Sequence, residues 1–268
     1  MAVNATPLKW AGSKARIMET LREHLPAGKR LVEPFAGSCA VMLNTDYDEY
    51  LIADINPDLI NLYLCIKNLP ESFISDARHM FGMLNDEYSY YQSRLEFNFV
   101  IDIYRKSLLF LYLNRHCFNG VCRYNKRGEF NVPYGKYKTP YFPEKEIRLF
   151  AEKAQQATFL CCDFGETLQL VRAGDVVYCD SPYMPVSDTA NFTQYHTDGF
   201  TKDDQYRLAT KLADIAKSGC PVIASNSKIA ADAGFYAGFE IHHITAPRTI
   251  SANGNRSRAD EVIATMGQ

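Results

Sequence analysis

Apolar positions along this chain come in two rhythms, and their alternation predicts the fold. "KRLVEPFAGSCAVMLN" predicts a short strand, a tight turn at Ala36-Gly37 and a helix capped by Ser38. "EYLIADIN" is apolar until Asp54 and predicts a second strand, followed by the helix "PDLINLYLCIKNL", opened by Pro57. Helical spacing continues through "YYQSRLEFNFVIDIYRKSLLFLYLNR". A Gly-, Asn- and Tyr-rich segment follows, "HCFNGVCRYNKRGEFNVPYGKYKTPYF", and then the helix "EKEIRLFAEKAQQ". Unbroken apolar runs resume in "ATFLCC", "DVVYCD" and "CPVIASN", each a predicted strand. The helix "DQYRLATKLADIAKSG" ends at Gly219, just before the last of these. "FEIHHITA" and "DEVIATM" are two further predicted strands.

Strands alternating with helices imply a largely parallel sheet covered on both faces. Residues 57–140 break that alternation. The predicted organisation is therefore an α/β domain, residues 1–56 and 141–268, interrupted by an inserted helical and hairpin-bearing module.

Composition narrows the function only locally. A net charge of −2 over 268 residues argues against a broadly basic nucleic-acid binder, so any such role rests on patches. Between Asn114 and Lys138 stand Arg115, Arg123, Lys126, Arg127, Lys136 and Lys138, against Glu129 alone. That excess suits phosphate. "RYNKRGEFNVPYG" also predicts a β-hairpin with Arg127-Gly128 near its turn, a ribbon of a size to enter a major groove; a merely solvated basic hairpin is the plainer account. The eight cysteines lack CxxC pairs and the six histidines do not join them at metal-ligand spacing, so no metal is expected and the thiols read as reduced. With no apolar signal core and no run near the roughly 18 apolar residues of a membrane span, a cytoplasmic protein without membrane contact is expected.

Two stretches carry candidate chemistry. In open α/β sheets ligands bind beyond the carboxyl ends of the strands. There the Phe35-Ala36-Gly37 turn lets backbone approach a ligand, and Asp54 lies roughly 20 residues on, where an acid meets a ribose hydroxyl. A single glycine does not match the G-x-G-x-x-G of dinucleotide sites, so a nucleoside without phosphates fits better. Taken alone, an ordinary strand–turn–helix explains the stretch equally well. The second stretch is "VVYCDSPYMP". Pro182 biases Ser181 towards extended backbone, so the Ser181 carbonyl can project beside the Asp180 carboxylate. Two acceptors suit the two N–H donors of an amino group, and Tyr183 offers a face for a planar base. A strand-ending turn would explain this tetrad by itself; beside a nucleoside pocket the site reading is stronger.

"LKWAGSK" (Leu8 to Lys14), "VEPFAGS" (Val32 to Ser38), "ADIN" (Ala53 to Asn56) and "DSPY" (Asp180 to Tyr183) resemble the motifs of Dam-type DNA adenine methyltransferases. "LFLYLNR", "NGVCRYNKRGEFNVPYGKY" and "TANFTQYHT" are similar to that family's DNA-facing segments, and the likeness covers nearly the whole chain in the family's order. It implies a Rossmann-like class I methyltransferase sheet and a monomeric enzyme that uses S-adenosylmethionine, releases S-adenosylhomocysteine and acts on double-stranded DNA, with the nucleoid as its location when bound. Trp10, Lys14, Glu33, Phe35, Gly37, Asp54, Asp163, Phe164 and Asp180 would line the cofactor pocket. Asp180, Ser181, Pro182 and Tyr183 would form the catalytic tetrad acting on a flipped adenine, in GATC. The DNA-reading positions implied are Lys9, Phe118, Asn119, Val121, Arg123, Arg127, Pro133 and Tyr137, with Asn191 and Tyr195 beyond the tetrad; His196 beside them reads as a structural or phosphate contact ahead of a general base. Phe118 and Val121 stand where some family members have tyrosine and leucine.

The family's usual tetrad is Asp-Pro-Pro-Tyr, and Ser181 departs from it. The required carbonyl is backbone and survives. Stiffness is lost, and the new hydroxyl is a competitor for either acceptor. The expected consequence is transfer about tenfold slower, a loss of roughly 1.4 kcal/mol. Two other readings stay open at this point: an impaired GATC-binding regulator, and an amino-group methyltransferase acting on RNA or protein.

Overall fold

The structure, a computed structural model, describes residues 2–183, 200–247 and 258–267. Seven strands form one sheet: β1 (Arg30–Glu33), β2 (Glu49–Asp54), β3 (Ala157–Cys161), β4 (Asp175–Asp180), β5 (Val222–Ser227), β6 (Glu240–Pro247) and β7 (Arg258–Met266), in the order β3-β2-β1-β4-β5-β7-β6. The first five are parallel and in register, Val32 opposite Leu51 and Val177, and Asp180 opposite Ser225. Strand β7 runs antiparallel to both neighbours. This is the Rossmann-like methyltransferase sheet expected, its order reversing beside β1 and β4.

Successive residues of a strand face opposite sides of the sheet, and two cores result. Leu31, Ile52, Val176, Tyr178 and Ile223 point to one side; Val32, Leu51, Val177, Cys179 and Ala224 point to the other. Helices α7 (Phe164–Gln169), α8 (Lys202–Lys217) and α9 (Lys228–Asp232) lie with the second set. The first set is continuous with α2 (Pro57–Asn68), α3 (Pro70–Met83), α4 (Glu87–Phe99), α5 (Ile103–His116) and α6 (Glu144–Lys153), which follow the short α1 (Met18–Glu23). Phe97, Phe110 and Phe130, which lie between β2 and β3 in the chain, thus share one apolar cluster with the sheet. Among the described residues no helix is long and apolar enough to cross a membrane.

One predicted element does not form. No helix follows β1, only a single 3-10 turn at Met42–Asn44, and Ser38 caps nothing. Cys39 adopts φ +55°, which breaks right-handed helical continuation, and the Ser38 hydroxyl bonds Ser13 instead. Backbone polar groups here are met by side chains: Asn44 Nδ2 donates to the Ala40 and Asn4 carbonyls, and Arg22 Nε to the Asn44 carbonyl. An apolar run buried all round has no period to read. Helix α2, by contrast, opens as predicted, with the Asn56 side chain accepting from the Asp58 amide.

Candidate active site

Parallel strands deliver their carboxyl ends to one edge of the sheet. Glu33, Asp54 and Asp180 end β1, β2 and β4, so three acids from separate parts of the sequence gather there. They have different surroundings. Asp54 accepts from the Gly37 amide at 3.2 Å and the Asn56 amide at 3.0 Å, which fixes its carboxylate against the turn after β1. Glu33 is buried, and no protein hydrogen bond to its Oε1 is made within the described residues. Burial pushes its carboxyl up to about 8, a backbone hydrogen bond opposing and the nearby Asp180 charge adding to it. Asp180 is paired: Lys14 Nζ lies 2.7 Å from its Oδ1. Burial still raises the Asp180 carboxyl to about 6, with the Lys14 cation pulling it down.

Lys14 itself is 6% exposed. Its ammonium also donates to the Gly12 carbonyl at 2.8 Å and sits 5.0 Å from the centre of the Tyr183 ring. Tyr183 donates to Glu261 of β7 at 2.8 Å. Trp10 packs against Gly37, whose φ of +46° and lack of side chain are both needed: a Cβ there would fall 2.9 Å from the indole nitrogen. Phe35 stacks on Phe164 with ring centroids 5.5 Å apart, and Phe200 closes the group. Asp163 caps α7 through the Gly165 amide and holds Arg207 in two hydrogen bonds, while that guanidinium covers the Phe164 ring. The predicted cofactor residues therefore assemble along one edge, though Lys14 is bonded to the tetrad as well as to its own loop.

The tetrad's serine is 2% exposed. Its hydroxyl does not compete for the Asp180 carboxylate as expected; it accepts from Asn226 Nδ2 of β5 at 3.2 Å. The reason is register. Asp180 is opposite Ser225, so Ser181 reaches the residue after it.

A second cluster is built on the inserted segment. The Asn114 side chain, on α5, accepts from the Lys9 amide and donates to the Lys9 and Gly120 carbonyls. Lys9 Nζ lies 4.2 Å over the Tyr137 ring, and the Tyr137 hydroxyl accepts from the Asn119 amide. Asn119 and Gly120 both have positive φ, +57° and +66°, turning the loop sharply and leaving Phe118 54% exposed. Phe118 is anchored by its amide to the Pro133 carbonyl; Val121 is half-buried, and Pro133 is exposed. The predicted hairpin is held by single bridges, Tyr124 to Phe130 and Cys117 to Tyr134, and turns over Asn125 to Gly128. Arg127 is exposed at that turn. Arg123 is exposed and braced by Asn131 through Nε at 2.8 Å. Lys9 and Trp10, adjacent in sequence, join this cluster to the acid edge. Asn191, Tyr195 and His196 lie outside the described residues.

The family model of D12 class N6 adenine-specific DNA methyltransferases matches residues 10–250. The chain belongs to this family. It is 56% identical over 266 residues to the Retron Ec67 DNA adenine methylase of Escherichia coli, covering 98% of this chain and 92% of that one. It is 49% identical to the DNA adenine methylase of Serratia marcescens (98% and 99% covered) and 46% identical to that of Escherichia coli strain K12 (98% and 96%). The enzyme is thus an adenine-specific DNA methyltransferase, and the reading of an RNA or protein methyltransferase falls away.

Sequence reasoning missed four partners of the site in this methyltransferase: Asn226, Glu261, Asn114 and Arg207. Each acts from a distant element, so no local pattern marks it. The one available signal was weak: Asn226 and Asn114 each stand just after an apolar run.

Proposed function

We propose that this enzyme methylates the adenine of GATC in double-stranded DNA, using S-adenosylmethionine as donor and Asp180-Ser181-Pro182-Tyr183 as its catalytic tetrad. The observation that carries the reading is the Lys14–Asp180 pair at the carboxyl edge of the sheet, beside the unpartnered buried Glu33 oxygen. A buried acceptor without a donor suits a cationic ligand. The cradle fits the cofactor: Glu33 for its ammonium, Asp54 for ribose hydroxyls, Phe35 and Phe164 for the adenine ring, with Trp10, Lys14, Gly37 and Asp163 completing the walls. When bound, S-adenosylmethionine supplies an electrophilic methyl group.

The protein's part is positional and electrostatic. An adenine amino nitrogen is a weak nucleophile because its lone pair is delocalised into the ring. Asp180 and the Ser181 carbonyl each accept a hydrogen bond from it and favour the tetrahedral nitrogen of the transition state; as the nitrogen gains the methyl group it releases one proton to water. Tyr183 stacks on the flipped base. No covalent enzyme intermediate is needed, and orientation accounts for much of the acceleration.

Residues 57–140 form the target-recognition domain in this reading, and 1–56 with 141–268 the catalytic domain. Arg123, braced by Asn131, presents its fork to guanine O6 and N7. Lys9, Asn119, Arg127, Pro133 and Tyr137 complete the interface, together with Asn191 and Tyr195, while Phe118 and Val121 fill the space the adenine leaves. The enzyme acts as a cytoplasmic monomer. The test is transfer of labelled methyl groups from S-adenosylmethionine to a GATC duplex and to a scrambled duplex. Transfer confined to GATC and abolished by Asp180→Asn is the expected outcome; equal transfer to both duplexes refutes the target, and an active Asp180→Asn refutes the tetrad.

A further inference from the structure

The departure of this tetrad from Asp-Pro-Pro-Tyr has a structural counterpart in β5. Asn226 is fully buried, as are Ser181 and Tyr236 around it. Its Oδ1 accepts from the Ser227 amide at 2.8 Å, which orients the side-chain amide. Its two N–H donors are then both used, one on Ser181 Oγ at 3.2 Å and one on Tyr236 Oη at 3.0 Å. Every polar atom of the side chain is engaged within the protein.

From this geometry we propose that Asn226 is a positioning residue for methyl transfer. By gripping Ser181 Oγ it fixes the backbone that carries both the Asp180 carboxylate and the Ser181 carbonyl. A hydrogen bond across two parallel strands supplies what a proline ring at position 181 would supply covalently, by restricting φ. The grip sits one residue beyond the last β4–β5 pair, Asp180 and Ser225, where β4 has left the ladder while Asn226 stays paired with Val262 of β7. Serine at 181 and asparagine at 226 therefore work as a unit, and the Ser181 enzyme keeps its preorganisation instead of losing it.

This inference rests on the tetrad reading proposed above, and the experiment separates the two. Single-turnover methylation of a GATC duplex is measured, with S-adenosylmethionine and duplex affinities determined alongside. Ser181→Ala removes one hydroxyl and is expected to slow transfer about tenfold, about 1.4 kcal/mol, while both affinities change by less than about twofold. Ser181→Pro is expected to restore the rate. Asn226→Ala is expected to slow the Ser181 enzyme about tenfold and the Ser181→Pro enzyme at least about fivefold less, a coupling that a general packing role would not produce. An unchanged rate in Ser181→Ala, or an equal cost of Asn226→Ala in both backgrounds, overturns the proposal. If Asn226→Ala does not fold, Ser181→Ala and its rescue by proline decide alone. Asp180→Asn is the control: if it remains active, the tetrad reading fails and this inference with it. If it is inactive and Ser181→Ala is fast, only the clamp fails.

Discussion

A carboxyl group stabilises the positive charge developing on an amino nitrogen best when ionised, and Asp180 is held where ionisation is costly. Burial raises its carboxyl to about 6 despite the Lys14 cation. In the proposed mechanism the single-turnover rate should therefore fall as pH drops through about 6, approaching tenfold per pH unit below it; a rate flat down to pH 5 would remove Asp180 from that role. Glu33 behaves differently, since its carboxyl is raised to about 8. The unfolded chain ionises this group near 4.5, so between that value and about 8 the folded state binds the extra proton. Its contribution to stability is whole below about 4.5 and is lost as pH rises through about 8. Glu33→Gln should accordingly melt at a higher temperature than the parent in cofactor-free enzyme, by a margin that widens from pH 5 to pH 8. A margin independent of pH would mean Glu33 is ionised when folded.

At the scale of elements, what could be read from sequence depended on whether the hydrogen bonds were local. Helix α2 with its Asn56 cap and α8 with its Thr201–Asp204 capping box obey rules that span a few residues. The stretch after β1 does not, because Asn4 and Arg22 supply bonds to it from remote positions. Asn114 plays the same part between α5, Lys9 and Gly120. Removing it leaves buried backbone groups unpaired, each a cost of about 1–3 kcal/mol. Asn114→Ala should lower stability in urea unfolding by about 2–3 kcal/mol and weaken duplex binding, since the Lys9 and Phe118–Gly120 segments lose their common anchor. Full duplex affinity in a destabilised variant would show that the anchor is structural alone.

For the whole molecule, charge and connectivity pull apart. A net charge of −2 gives no general attraction to DNA, so in the proposed reading duplex binding draws on the basic hairpin and loop. Lys126 and Arg127 are exposed there. Replacing both with alanine should reduce the slope of log binding constant against log salt by about 2, with cognate preference preserved. An unchanged slope would place the phosphate contacts elsewhere. Phe97, Phe110 and Phe130 share an apolar cluster with the sheet, so the Phe118–Gly120 loop and the acid edge are held in one packed body.

By itself the sequence determined the α/β alternation, the acids at the strand ends and, through its motifs, the family. These follow from periodicity and from short contiguous patterns, which the chain carries wherever it folds. Only the tertiary structure decided who partners whom. Lys14 reaches Asp180 across 166 positions of sequence, and Asn226 reaches Ser181 because β5 lies beside β4 in register. Sheet order and register bring such residues together, and neither is encoded in any local stretch. The meaning of Ser181 changed for that reason. In sequence it is a weakened proline position; in the sheet its hydroxyl is held by a buried asparagine.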